Sequence, residues 1–328
     1  AIGTVSPGLP PEGADRKGVP CMSNQIVHPG PRMRWKWRRT LSSYLFALPY
    51  LLFMLAFGIG PGLYAFLISF AGFKKGTPQY FAAGLKNYVT AFKDFRFAST
   101  MGNIAEFLVV SVPLGIALVV IIALLLHMRP GRVSSALRTL FFIPGAVTGP
   151  ALLLLAIFMF SPAMSPFGTL QRALGYDSFD ALIAPARLPV IFTVIGFFSG
   201  AGMWIAIQYG ALEGVSTEVL EAAKIDGCNA WQQALYIKFP LIRPYIIYQF
   251  ILIFAGNVQL FVEPQLMGTT WIMANVPQQW SPNQLAYSFA FDLGNFGAAA
   301  ALSLLMLVIG LGAAYFVIRW TGFFDIKT

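Results

Sequence analysis

The stretch EAAKIDGCNAWQQALYIKFP, residues 221–240, interrupts two long apolar runs with acidic groups, a glycine and a closing proline. Its pattern is that of two short helices around a turn. Thr217 stands where it can cap a helix whose first turn holds Glu218 and Glu221. Leu220, Ala223 and Gly227 recur at helical spacing. Gly227 can adopt the left-handed conformation that closes such a helix. Asn229 followed by Gln232 has capping-box spacing for a second helix. Pro240 is expected to end it, and Pro244 to open the next apolar run. Glu221 and Asp226 lie five residues apart, so they share a helical face poorly. No metal-binding histidine accompanies them, and neither a catalytic pair nor a metal site is expected.

The flanks of this stretch are apolar throughout. Of 328 residues, 57% are hydrophobic and 11% charged, with a mean hydropathy of +0.69. A typical soluble domain carries about 25% charged residues, so a soluble enzyme of this length would lack the groups to solvate its surface. Runs near 43–70, 103–126, 138–160, 188–212, 244–262 and 296–318 are each about 20 residues or more, the length that crosses a bilayer. The expected fold is all-α and polytopic, with six transmembrane helices. The alternation of a transmembrane barrel is absent. Cys21 and Cys228 are far apart and suggest neither a disulfide framework nor a zinc site.

Basic residues orient the chain. They gather in the tail (Arg16, Lys17 and RMRWKWRR, 32–39), after span two (Arg129, Arg132, Arg138), after span four (Lys224, Lys238, Arg243) and at the end (Arg319, Lys327). The opposite side carries Lys74, Lys75, Lys86, Lys93, Arg96, Arg172 and Arg187. Both termini are therefore expected in the cytoplasm, with residues 263–295, which lack Lys and Arg, outside. Residues 1–41 are expected to be a flexible basic cytoplasmic tail without a cleavable secretory signal. The net charge of +9 flanks membrane spans, which argues against nucleic acid and for interfacial anchoring.

The sequence resembles the inner-membrane permease subunits of binding-protein-dependent ABC importers. That family's cytoplasmic motif reads EAA, three residues, Gly, nine residues, then Ile-x-Leu-Pro. Here Glu221-Ala222-Ala223 is followed by Gly227 and by Ile237-Lys238-Phe239-Pro240, with Phe239 as the one departure. Lys224 and the Asp226-Gly227 pair are similar to the sugar-importer branch, in the general form of the maltose and glycerol-phosphate permeases. The likeness extends over most of residues 40–325. RTLFFIPGAVTGPALLLLAIF (138–158) resembles the family's third core span, residues 102–126 the preceding one, and LGNFGAAAALSLLMLVIGL (293–311) the last. The Gly-Gly-Gly-Pro often found after the fifth span of sugar permeases is replaced by Met267-Gly268-Thr269-Thr270.

The resemblance implies a permease domain over 42–328 in a bacterial or archaeal cytoplasmic membrane. It implies that residues 216–240 form a coupling loop to a separate ATPase through Glu221, Ala222, Ala223, Asp226, Gly227, Ile237 and Pro240. The chain has neither a GxxxxGK[ST] phosphate loop nor LSGGQ, so ATP and Mg are expected to be used by the partner ATPase, with no cofactor bound by this chain and no enzyme activity of its own. The implied partners are a second homologous permease, two ATPase subunits, an extracytoplasmic solute-binding protein and a small solute, a sugar. Polar residues in lipid are costly and usually face inward. Gln208, Tyr209, Gln249, Asn257, Gln259 and Glu263 are therefore candidates for the substrate pathway, with helix–helix hydrogen bonding as the competing reading. An ion-driven secondary transporter is the main alternative class. It calls for buried charges and interrupted repeats, whereas Glu106 lies near the start of span two, where Asn103 and Glu106 have capping-box spacing. A membrane-embedded enzyme would need a constellation that His28 and His127 do not supply.

Overall fold

The computed structural model describes residues 44–74, 77–147, 149–178, 181, 183–269 and 277–321. The basic tail, Cys21, Lys75, Thr270 and Lys327 lie outside the described residues. The chain divides between Ile59 and Gly60 into an N-terminal and a main unit. In the N-terminal unit, residues from Tyr44 are helical, and Phe53 and Phe57 stack one turn apart with ring centroids 5.9 Å apart.

The described residues are helical apart from loops and one hairpin, β1 (Gly72–Lys74) against β2 (Thr77–Gln79), antiparallel with Phe73 opposite Pro78. The helices are α1 (Tyr44–Ser69), α2 (Lys86–Lys93), α3 (Phe97–Met128), α4 (Arg132–Ala146), α5 (Gly149–Phe160), α6 (Gly168–Ala173), α7 (Leu188–Glu213), α8 (Thr217–Ile225), α9 (Ala230–Gln233), α10 (Phe239–Val258), α11 (Val262–Thr269), α12 (Pro282–Phe291) and α13 (Phe296–Thr321). Among the described residues, five helical runs are long and apolar enough to cross a membrane: α1, α3, α7 with its 3₁₀ lead from Pro185, the run Ala230–Gly268, and α13.

The expected third span, 138–160, is not one straight helix. It comprises α4 and α5, whose axes meet at 110°, and counting this pair as one span gives six. Pro150 has no N–H to bond the carbonyl four residues back, which belongs to Ala146, the last residue of α4. The expected start of span two also moves. Helix α3 begins at Phe97, so Asn103 and Glu106 lie inside it and form no capping box. Asn103 Nδ2 instead donates to the Trp280 carbonyl at 3.0 Å. That tie sits beside a ring triangle of Phe107, Phe192 and Trp280, with centroids 4.9–6.4 Å apart, in the core that joins α3, α5 and α7.

Packing within the main unit is dominated by α7, which lies along both α3 and α4. The α4–α7 contact is made backbone to backbone. A Cβ on Gly202 would stand 2.4 Å from the Phe141 carbonyl oxygen, and one on Gly145 would stand 2.8 Å from that of Ser199. Small residues allow this approach where lipid offers no hydrophobic drive for association. At the hairpin end, Asn87 Nδ2 donates to the carbonyls of Ser69 and Ala71, each at 2.9 Å, and packs its amide against Gly297 of α13.

Gly202→Val is expected to force α7 away from α4 and lower stability by about 1–3 kcal/mol, the usual range for overpacking. Gly210→Ala, whose Cβ would meet nothing within 4 Å, should leave stability essentially unchanged. The thermal midpoints of the detergent-solubilised variants check both.

Candidate functional site

Residues 216–240 form two helical elements around Gly227. The N-cap of α8 is Ser216, not the expected Thr217: Ser216 Oγ accepts from the Val219 N–H at 3.3 Å. As a result Glu218 is the one acidic residue in the first turn, and Glu221 lies beyond it. At the other end the Cys228 N–H donates to the Ala223 carbonyl at 2.9 Å and the Gly227 N–H to that of Lys224 at 3.0 Å. These two bonds are a Schellman closure. It requires the left-handed backbone that Gly227 supplies at φ +85°.

The second element opens with a reciprocal capping box. Asn229 Oδ1 accepts from the Gln232 N–H at 2.9 Å, and Gln232 Oε1 accepts from the Asn229 N–H at 2.7 Å. Pro240 does not end this element, contrary to expectation. α9 passes through a π-helical stretch, Ala234–Lys238, directly into α10. An α-helical proline would clash with the carbonyl four residues earlier. Here that residue, Tyr236, lies in the π turn, whose wider spacing accommodates the ring. The same arrangement occurs in α1, where the π stretch Met54–Ile59 precedes Pro61. The segment is thus a capped helix, a glycine turn and the foot of a long membrane helix, rather than a free helix–turn–helix.

Of the residues singled out here, Glu221, Ala222, Asp226, Gly227 and Pro240 are exposed, Ile237 is half-buried and Ala223 is buried. Large apolar side chains are uncovered on the same segment, with Ile225 87%, Tyr236 76% and Trp231 57% exposed.

The six polar candidates are not brought together. Gln208 and Gln249 are both fully buried, and Gln208 Nε2 donates to Gln249 Oε1 between α7 and α10. Tyr209 is buried at the end of α7, with the Arg138 guanidinium 3.8 Å from its ring centre and the His127 ring 5.4 Å away. These three residues cross-link helices. Gln259 is exposed at the C-cap of α10. Asn257 and Glu263, by contrast, line a cavity of about 280 Å³ between α3, α7 and α10. Asn257 Nδ2 donates to Ser111 Oγ at 2.9 Å. Ser111, Thr193 and Ser199 share the lining with Trp204. These small hydroxyl residues carry no distinguishing pattern, because Ser and Thr inside apolar runs most often bond their own helix. Thr193 does so here, donating to the Pro189 carbonyl.

Among the described residues the one ion pair joins Asp94 and Arg96, 2.9 Å apart, before α3. Arg96 also faces the Phe289 ring of α12, with 5.7 Å to its centre. The hydrogen bond from Arg96 holds the Asp94 carboxyl below its ordinary value, outweighing partial burial.

With this fold and segment described, comparison with known proteins identifies the class. Residues 111–321, more than half of the chain, match the family described as "Binding-protein-dependent transport system inner membrane component". The chain belongs to that family, and it is an ABC importer permease rather than a secondary transporter. It is 26% identical over 275 residues to the probable ABC transporter permease protein YurN of Bacillus subtilis, covering 82% of this chain and 91% of that one. It is 22% identical over 291 residues to the arabinooligosaccharides transport system permease protein AraP of the same organism, covering 86% and 92%. A chain in the crystal structure of a bacterial alginate ABC transporter, in complex with a periplasmic protein bound to alginate pentasaccharide, has the same fold. That match has a TM-score of 0.73 at 18% identity and covers 88% of this chain and 96% of that one.

Protonating Asp94 is harder in the folded protein than in the unfolded chain. The pair therefore adds stability above the ordinary carboxylate range and loses it as pH falls through the lower, folded value. The difference in thermal midpoint between wild type and Asp94→Asn should be largest near neutrality and shrink as pH falls below the ordinary carboxylate range, as read from melts across pH 7 to 3.

Proposed function

We propose that this permease forms half of an ATP-driven import pathway for a carbohydrate-like solute. In this reading it works beside a second homologous permease, on two ATPase subunits, with an extracytoplasmic protein delivering the solute. The observation that carries the reading is segment 216–240, a doubly capped helical element with exposed apolar and acidic side chains. A stiff element of this kind suits the transmission of nucleotide-driven motion. Glu221, Ala222, Asp226, Gly227, Ile237 and Pro240 would meet the ATPase, while buried Ala223 packs α8 onto its own bundle. ATP and Mg belong to that partner, since this chain lacks a phosphate loop. Both termini and residues 216–240 would face the cytoplasm.

The carbohydrate assignment is supported by what the arabinooligosaccharide and alginate systems carry. It is also supported by the neutral hydrogen-bonding groups in the cavity between α3, α7 and α10. Ser111, Asn257 and Thr193 offer hydroxyls and an amide beside the Trp204 ring, a chemistry suited to polyhydroxylated solutes. Asn257 and Glu263 are the two polar candidates retained for the pathway. Gln208, Tyr209 and Gln249 are assigned to helix packing.

Orientation is tested by single cysteines in a cysteine-free background. An impermeant thiol reagent on intact cells should label a cysteine at Leu85 and spare one at Asp226. Labelling at 226 would reverse the topology and remove the coupling role with it.

Coupling is tested by two substitutions in the assembled transporter. Gly227→Val places a β-branched residue at φ +85° and breaks the Schellman closure. It should abolish solute-stimulated ATP hydrolysis and weaken ATPase pull-down while leaving membrane insertion intact. Glu221 lies beyond the first turn of α8, so its helix-end interaction is no more than about 0.3–1 kcal/mol. A larger loss of ATPase affinity in Glu221→Ala would identify pairing with a basic group of the ATPase. Full coupled hydrolysis by Gly227→Val would refute the assignment.

A further inference from the structure

A second cavity, of about 460 Å³, lies behind α8, between it, the end of α3 and the π stretch that follows α9. His127, Lys224 and Lys238 line it, with Gln233 and Glu213. Lys238 is only 5% exposed. A buried ammonium group without a counter-ion is unfavourable. Yet among the described residues the sole ion pair is Asp94–Arg96, so neither Lys238 nor Lys224 has a carboxylate within pairing distance. Glu213 is exposed and makes no such pair.

The surroundings add an unpartnered hydrogen-bonding group rather than a counter-charge. His127 Nδ1 is buried without a hydrogen-bond partner. The His127 ring packs on Tyr209, and the guanidinium of Arg138 stands over the same ring. Two ammonium groups and an unsatisfied imidazole therefore face a space far larger than one water requires, with a single exposed carboxylate opposing them. The ligand such a set lacks is an anion with several acceptor oxygens.

We propose that this cavity binds a phosphate group, whose oxygens accept from Lys238 and Lys224, with the unsatisfied imidazole of His127 beside them. Two sources offer that chemistry: the phosphodiester of an anionic lipid headgroup and free inorganic phosphate. The first rests on the orientation proposed above, because basic pockets between helices on the cytoplasmic side are suited to anionic headgroups. The bound group would tie α3, through His127, to α8, through Lys224, and to the π stretch, through Lys238. It would thereby stiffen the support of the proposed coupling segment from behind, while the outward residues of α8 stay free for the ATPase.

The test uses the purified full chain in phosphatidylcholine nanodiscs and reads the thermal midpoint. One arm raises the mole fraction of phosphatidylglycerol; the other titrates inorganic phosphate against chloride at constant ionic strength. A rise with phosphatidylglycerol alone assigns the lipid headgroup, and a rise with inorganic phosphate assigns the free anion. In Lys224→Gln, an exposed change that spares the fold, the ligand level giving half the shift should increase about fivefold. Lys86→Gln, at the start of α2 and away from the cavity, should leave it unaltered. Lys238→Gln should weaken binding further still. No rise in either arm, or an unaltered half-shift in Lys224→Gln, overturns the proposal. The readout uses purified protein and does not depend on which way the chain faces. Failure of the topology would appear in the cysteine labelling and not here.

Discussion

The close crossing of α4 and α7 is the constraint on which the rest of the main unit depends. It can form only because Gly145 and Gly202 leave room for the opposing backbone. Once the helices meet there, Arg138 of α4 lies over Tyr209 near the end of α7, and α7 leads directly into the cap of α8. Helix α7 also carries Phe192 into the ring triangle with Phe107 and Trp280, so the same helix anchors the core beside α3 and α5. No polar bond is needed at the α4–α7 crossing. Dispersion between close-packed backbones suffices in a medium where side-chain burial gains little.

The existence and order of the spans were legible because apolar length is a one-dimensional property of sequence. Their ends were not. Phe97 starts a helix six residues before the expected run, since helix formation continues past the lipid into polar residues such as Ser99 and Thr100. Proline was the harder case, because the same residue acts differently by context. Pro150 coincides with a change of direction between α4 and α5, Pro113 and Pro144 lie inside α-helices, and Pro61 and Pro240 follow π stretches. Whether the ring ends a helix or only widens a turn depends on whether neighbouring helices hold the backbone in place.

The candidate site divides along the same line. The Gly227 turn and the Asn229–Gln232 box were readable because their bonds span a few residues. The cap lies one position before the expected Thr217, since Ser216 and Thr217 are both competent and only backbone geometry distinguishes them. Polar residues in the spans were not separable from sequence. Gln249 and Asn257 lie on the same helix, yet one bonds Gln208 and the other bonds Ser111 at a cavity wall. An amide in an apolar run reports that it has a partner, and long-range packing decides which.

The π stretch between α9 and α10 keeps the chain from Trp231 to Asn257 continuously helical, about 40 Å of helix at 1.5 Å per residue with Pro244 inside it. Had Pro240 ended a helix there, a hinge would separate the segment proposed to meet the ATPase from the wall of the cavity. With the backbone continuously helical, a displacement at Trp231 has a direct hydrogen-bonded route toward Asn257. The widened turn therefore serves as a splice, joining the capped element at Asn229 to the helix that carries Asn257 into the cavity wall.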